Sequence, residues 1–322
     1  MTATTAPPRH MLARARLIDF LAEYGFVVFF VIWVLFLATA TDRFLTERNI
    51  LLLLRQASIF AIPAIGATFV IFLGELDVSF GSTLGVSGVV AAEILLLGGG
   101  PLLAVLGAVL FGALVGIANG ALVTVLRIPS VVATLGMLSI VLGIGIVWTG
   151  GRALTGPELD PLDPLAQGYV GAIPVPVILL FISYAIAWIV LDRTRFGRHV
   201  YLTGDNREAS FRAGIATDRI RVAVFVIAGA LAGLGGVVLV SRVSQASASL
   251  GTEALFPVLT AVILGGAGLQ GGRGHIINTL IASVFLASLL NGLILLGVDA
   301  EYQRILLGGI LIAAVSLDRF RD

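Results

Sequence analysis

The chain contains no cysteine and no lysine. Without cysteine there can be no disulfide, no thiolate metal ligand and no thiol nucleophile. All 20 basic residues are arginine. A Walker A loop needs a lysine at the phosphates, so it is excluded, and so is a Schiff-base enzyme. The chain is therefore not expected to hydrolyse ATP itself through a P-loop. Charge of either sign is scarce: 12% of residues are charged, against roughly 25% in a soluble domain. The formal net charge is +1 with no long basic run, which excludes a nucleic-acid-binding surface. No group of His, Asp and Glu has metal-ligand spacing, so neither a metal nor a resident cofactor is expected.

What the chain has is apolar surface. Hydrophobic residues make up 58% of it, and the mean hydropathy is +1.06. With so thin a polar shell, the solvent for most of the chain must be lipid. At about 20 residues per spanning helix, ten spans would use roughly two-thirds of the 322 residues. Ten apolar runs are present, at 25–40, 49–73, 82–97, 102–126, 131–148, 173–191, 222–240, 254–264, 276–296 and 305–317. The expected fold is an all-α integral membrane protein of about ten transmembrane helices. Residues 1–24 form an N-terminal segment, 25–318 the membrane domain and 319–322 a tail. Ala38-Thr39-Ala40 resembles a signal-peptidase site. The leader before it is long and is interrupted by Asp19 and Glu23, which favours an uncleaved first helix.

Arginine sets the orientation. With ten spans and a cytoplasmic N-terminus, fourteen arginines fall inside, seven of them between Arg193 and Arg221. Five fall outside: Arg43, Arg48, Arg152, Arg242 and Arg304. That is the positive-inside bias, and an even number of spans puts both termini in the cytoplasm. Two segments read as polar connections. One is 150–171, with Pro157, Pro161 and Pro164. The other is 192–221, the only long charged stretch inside the chain. Pro63 to Gly74 and Pro257 to Gly268 share one spacing, and each leads into a glycine-rich break, as in transporters with pseudo-symmetric repeats.

Several polar residues interrupt the apolar runs. Glu75 and Asp77 stand in the first break, Gly74–Ser82. They read either as a hydrated loop, with Ser79 or Ser82 capping the next helix, or as a discontinuous helix beside a pathway. Asn119-Gly120 and Asn291-Gly292 can bond across helix interfaces or face a cavity suited to an uncharged hydroxylated substrate. Asp77, Ser79, Asn119 and Asn291 are thus the candidates for a translocation path. Glu93 reads as a residue snorkelling to the interface or as a proton relay. Gly85-Val86-Ser87-Gly88 matches a serine-protease pattern, with His275 as a possible base. Gly81, Gly85 and Gly88 also form a small-residue stripe that lets helices approach.

The most distinctive stretch is Gly204-Asp205-Asn206-Arg207-Glu208-Ala209-Ser210-Phe211-Arg212-Ala213-Gly214-Ile215. Asp205 or Asn206 can cap a helix and Glu208 suits its positive end. Gly214 can close it in a left-handed conformation. The product is a short helix outside the membrane, with Ala209 and Phe211 free to pack on a partner that would stabilise it.

This stretch resembles the E-A-A-x-x-x-G coupling motif of ABC importer permeases, with Glu208, Ala209, Ser210 and Gly214 in the pattern. The wider chain, from about Asn49 to Leu317, resembles the permease subunit of bacterial monosaccharide importers of the ribose/xylose/arabinose/galactose group. The likeness runs through Asp77-x-Ser79-x-Gly81-Ser82, Asn119-Gly120, Ile128-Pro129-Ser130 and Ala133-Thr134-Leu135-Gly136-Met137. It continues through Thr149-Gly150-Gly151-Arg152, Val262-Ile263-Leu264-Gly265-Gly266 and Asn291-Gly292-Leu293. Three positions depart from the pattern: Glu75, where a second Gly is usual, Val78, where Leu is usual between Asp77 and Ser79, and Leu142, where many members carry Arg. The resemblance implies a vitamin-B12-importer-like arrangement in the inner membrane and a second permease as partner. It implies a cytoplasmic ATPase subunit that uses ATP and Mg, and an extracytoplasmic sugar-binding protein. Gly204, Asn206, Glu208, Ala209, Ser210, Phe211 and Gly214 would make the ATPase contact. A pentose is the first expectation for the solute, and an ion-coupled carrier using Asp77 or Glu93 is the alternative.

Overall fold

The computed structural model describes residues 26–318. The expected cytoplasmic segments 1–24 and 319–322 lie outside the described residues. Each of the ten apolar runs is a helix. They are α1 (Phe26–Ala40), α2 (Glu47–Phe72), α3 (Phe80–Leu96), α4 (Pro101–Thr124), α5 (Ser130–Thr149), α7 (Val175–Trp188), α10 (Thr217–Val243), α11 (Leu255–Leu264), α12 (Ile276–Leu295) and α13 (Ala300–Asp318). Pro101 starts α4 at the position where a missing N–H costs nothing. Gly150 ends α5 in the left-handed region at φ +61. A π turn, Ile189–Arg193, extends α7. Among the described residues six helices are long and apolar enough to cross a membrane: α2, α4, α5, α7 with its π extension, α10 and α12. The chain is a multi-pass, mostly helical membrane protein.

Contacts between helix ends sort them onto two faces. On one, the α2–α3 break meets the α11–α12 break, and the Gly272 N–H donates to Phe72 O at 2.9 Å. Two polar helices, α8 (Arg195–Asp205) and α9 (Arg207–Arg212), lie there, and His275 Nε2 sits 3.0 Å from Asp192 Oδ2. On the opposite face Arg304 pairs with Glu253 at 3.2 Å, and Arg55 donates to Gln167 O at 3.2 Å while lying over the Tyr169 ring.

The segment at 150–171, read as a polar connection, is instead partly folded into the body. Leu154–Thr155 pairs antiparallel with Gln245–Ala246. A 3-10 turn, Pro157–Leu162, and α6, Asp163–Ala166, bury Leu159 and Leu162 completely. Ser241 Oγ fixes this cap by donating to Leu162 O and accepting from Ala166 N. A second two-residue pair, Tyr169–Val170 with Ile173–Pro174, completes the small departures from an all-α chain.

In lipid, apolar surface does not drive helices together, so close backbone packing must. The centre shows it. A Cβ on Gly112 of α4 would lie 2.0 Å from Gly229 O of α10, and one on Gly229 would lie 2.1 Å from Gly112 O. The Gly81, Gly85 and Gly88 stripe does the same for α3, against the segment before α11 and against α10. Ser87 is fully buried within that contact. His275 is occupied with Asp192 and with capping α12, so the two do not form a catalytic pair.

Candidate functional site

The short helix α9 forms where the punctuation demands it. Asn206, not Asp205, is the cap: its Oδ1 accepts from the Ala209 N–H at 2.9 Å. Gly214 turns the chain at φ +86, with the Ile215 N–H donating to Ser210 O and the Gly214 N–H to Phe211 O. This closes the helix in the way Gly alone does without strain. Ser210 is the one buried residue of α9, and its Oγ donates to Leu202 O of α8 at 2.7 Å. Glu208 pairs with Arg212 in the open at 3.0 Å. Ala209 is exposed, and so is Phe211, 65% accessible beside the exposed Leu202. Seven residues were expected to make one contact surface, and the structure divides them. Glu208, Ala209 and Phe211 are presented outward, Asn206 and Gly214 shape the helix, Ser210 ties it down, and Gly204 faces inward.

Gly204 is where α8 meets the membrane helices. A Cβ there would lie 1.9 Å from Phe72 O and 2.7 Å from Gly272 N. The same knot contains Gly74, whose added Cβ would meet Gln270 O at 2.7 Å. The two breaks with matched proline spacing are therefore joined to each other and to α8. Tyr201 of α8 donates to Gly274 O at 3.2 Å. Burial, with Asp192 nearby, pushes its phenol up to about 12, so it stays a donor at neutral pH.

An ionic chain runs from α9 into this knot. Arg207 bonds Asp218 at 2.6 Å, Asp218 approaches Arg221, and Arg221 pairs with Glu75 in the α2–α3 break. Arg221 and Glu75 are shielded from water, so Glu75 is not the hydrated loop residue that the sequence allowed. Two residues further on, Asp77 Oδ1 accepts from the Ser79 N–H at 2.8 Å and from Ser79 Oγ at 2.6 Å. Asn119 Nδ2 donates to Ser79 Oγ at 2.7 Å. Burial pushes the Asp77 carboxyl above its usual range, while these bonds pull it back. Asp77, Ser79 and Asn119 thus come together in one buried group, helped by Ser130 and Thr134, which accept the Leu76 and Val78 N–H groups.

Asn291 belongs elsewhere. It exchanges two 2.9 Å amide hydrogen bonds with Asn49, whose Nδ2 also donates to Phe44 O. Asn49 and Arg221 escaped the sequence reading. The signal for the second was the acid at 75 where the family pattern has Gly. Glu93 is half-buried in the last turn of α3.

Residues 49–315 match the family described as the permease component of branched-chain amino acid transport systems. The chain belongs to this permease family. Among curated relatives of the permease, the ribose import permease protein of Bacillus subtilis strain 168 is 37% identical over 289 residues, 89% of this chain and 90% of that one. The ribose import permease protein of Escherichia coli K12 is 34% identical over 321 residues, 99% of both chains. The L-arabinose ABC transporter permease protein of Azospirillum brasilense is 33% identical over 319 residues, 99% of this permease and 93% of that one. No solved structure matches the chain. The likeness to monosaccharide-importer permeases drawn from the motifs is borne out by these relatives.

Proposed function

We propose that the chain is the permease subunit of an ATP-driven importer and forms the translocation path for a monosaccharide, a pentose first. The relatives' names, ribose and L-arabinose, support the solute class. The observation that carries the mechanism is α9: a capped helix tethered through Ser210, with Phe211 and Ala209 exposed. It stands on the face that bears Arg127, Arg273 and the seven arginines from Arg193 to Arg221. By the positive-inside rule that face is cytoplasmic, with both termini on it and about ten helices crossing in a vitamin-B12-importer-like arrangement. A cytoplasmic ATPase subunit, using ATP and Mg, grips α9. A second permease, identical or not, completes the path in the inner membrane, and an extracytoplasmic binding protein delivers the sugar.

In this reading the ionic chain from Arg207 to Glu75 carries displacement of α9 to the α2–α3 break. Asp77, Ser79 and Asn119 hold the wall of the inner half of the path, and Asn291 the outer half. Gly214→Pro tests the assignment: association of the ATPase and sugar-stimulated ATP hydrolysis should both be lost while the membrane domain stays folded. Retention of both would refute the coupling role. An ion-coupled carrier is separated by a protonophore added at constant cytoplasmic ATP. Uptake should persist, and its immediate loss would favour Asp77 or Glu93 as a proton site.

A further inference from the structure

The face opposite α8 and α9 holds a cavity of about 660 Å3 between α2, α10, α11 and α13. That volume lies within the range of small-molecule sites, roughly 300–1,000 Å3. Its walls mix two kinds of group. Phe60, Leu290 and Leu307 are apolar, while Gln56, Arg242 and Gln303 are polar. Among the described residues the half-buried Gln56 amide and the exposed Arg242 guanidinium have no protein hydrogen-bond partner. Gln303 spends its Nε2 on Val298 O at 2.9 Å, which leaves its oxygen to accept. Glu253 and Arg304 neutralise each other at the rim, 3.2 Å apart.

We propose that this cavity is a subsite for a neutral, cyclic, polyhydroxylated solute, that is, a monosaccharide on the outer half of the path. The proposal rests on the importer reading above. Sugar hydroxyls both donate and accept, so they can satisfy the Gln56 amide, the free Gln303 oxygen and the Arg242 donors together. The C–H faces of a sugar ring suit the apolar wall that Phe60 supplies. A lipid tail in the same place would strip water from Gln56 and Arg242 without replacing their hydrogen bonds, which is unfavourable for the amide and more so for the charged guanidinium. Glu253 already engages Arg304, but Arg55 lies close enough to Arg242 for the two like charges to interact, so a sugar acid is the competing occupant that the glucuronate arm of the test separates from a neutral sugar.

The absence of cysteine allows a clean test. Gln56→Cys and Gln303→Cys each place a single thiol in the cavity wall, and Thr155→Cys places one on the exposed surface of the same face. Right-side-out vesicles carrying the permease with its partner subunits are treated with a membrane-impermeant methanethiosulfonate, with ribose, arabinose or glucuronate present. At a sugar concentration ten times its dissociation constant, labelling of both cavity thiols should slow about tenfold. The Thr155→Cys thiol should label at an unchanged rate. The cavity assignment is overturned by thiols that the reagent cannot reach, by no slowing with either neutral sugar, by equal slowing at the Thr155→Cys thiol, or by slowing with glucuronate alone. ATP-dependent ribose or arabinose uptake in the same vesicles separates the two readings. Uptake without protection removes only the subsite, whereas absence of uptake by the unsubstituted protein removes the importer reading.

Discussion

The Arg221 guanidinium at the foot of α10 donates to the Glu75 carboxylate in the α2–α3 break, Nε to Oε1 at 2.8 Å, across 146 residues of chain. Both side chains are withdrawn from water. Breaking a buried pair costs about 3–5 kcal/mol when it strands one charge. Here Arg221 keeps only a longer contact to the exposed Asp218 at 3.5 Å, and replacing both partners by apolar groups of similar size costs far less. Glu75→Ala should therefore lower the thermal unfolding temperature in detergent markedly. Glu75→Leu combined with Arg221→Met should recover most of the loss. A single variant as stable as the parent would show that the pair has no structural role.

The contact of Gly112 with Gly229 predicts a second stability effect. Gly112→Ala pushes a methyl into a backbone carbonyl 2.0 Å away, and overpacking of this kind costs about 1–3 kcal/mol. Gly136→Ala on α5 meets nothing within 4 Å and should be neutral or slightly stabilising. Thermal unfolding of the two variants side by side checks the difference.

The reciprocal amide pair of Asn49 and Asn291 should show non-additivity. Asn291→Ala leaves the buried Asn49 Oδ1 without its donor, at about 1–2 kcal/mol, while Asn49 Nδ2 keeps Phe44 O. The double alanine variant should lose less than the sum of the two singles. A strictly additive cycle would mean the two amides do not interact.

Asp77 predicts a pH dependence with a definite sign. Burial raises its carboxyl above the ordinary 3.8, so the folded state holds the proton more tightly than the unfolded chain. The contribution of this group is fully present below the unfolded value, declines as pH rises through the folded one and is flat beyond it. Asp77→Asn keeps an oxygen to accept from Ser79 and should remove that decline. Unfolding temperatures of the two proteins across acid to neutral pH check it, and parallel profiles would contradict it.

The helices were legible because a lipid-solvated span is written locally: each apolar run needs only its own composition. Asn206 and Gly214 were legible for the same reason, since a cap and a left-handed stop act within one turn. What escaped is long-range. Glu75 looked like a hydrated loop acid because its partner, Arg221, sits at the start of another helix. The 150–171 segment looked polar because prolines and acids outnumber Leu159 and Leu162, the two side chains that anchor it. The common spacing of Pro63–Gly74 and Pro257–Gly268 hinted at a relationship, and only the fold shows that the two breaks touch, with Gly204 wedged between them.

The central claim is that α9 is the handle for a cytoplasmic ATPase. In this cysteine-free chain, Phe211→Cys provides a single exposed thiol on that helix. With a bifunctional thiol reagent on intact membranes containing the assembled transporter, it should cross-link to the ATPase subunit, in a yield that changes with bound nucleotide, and should be unreachable by impermeant reagents from outside the cell. Labelling from outside, or cross-links that never include the ATPase, would contradict the account.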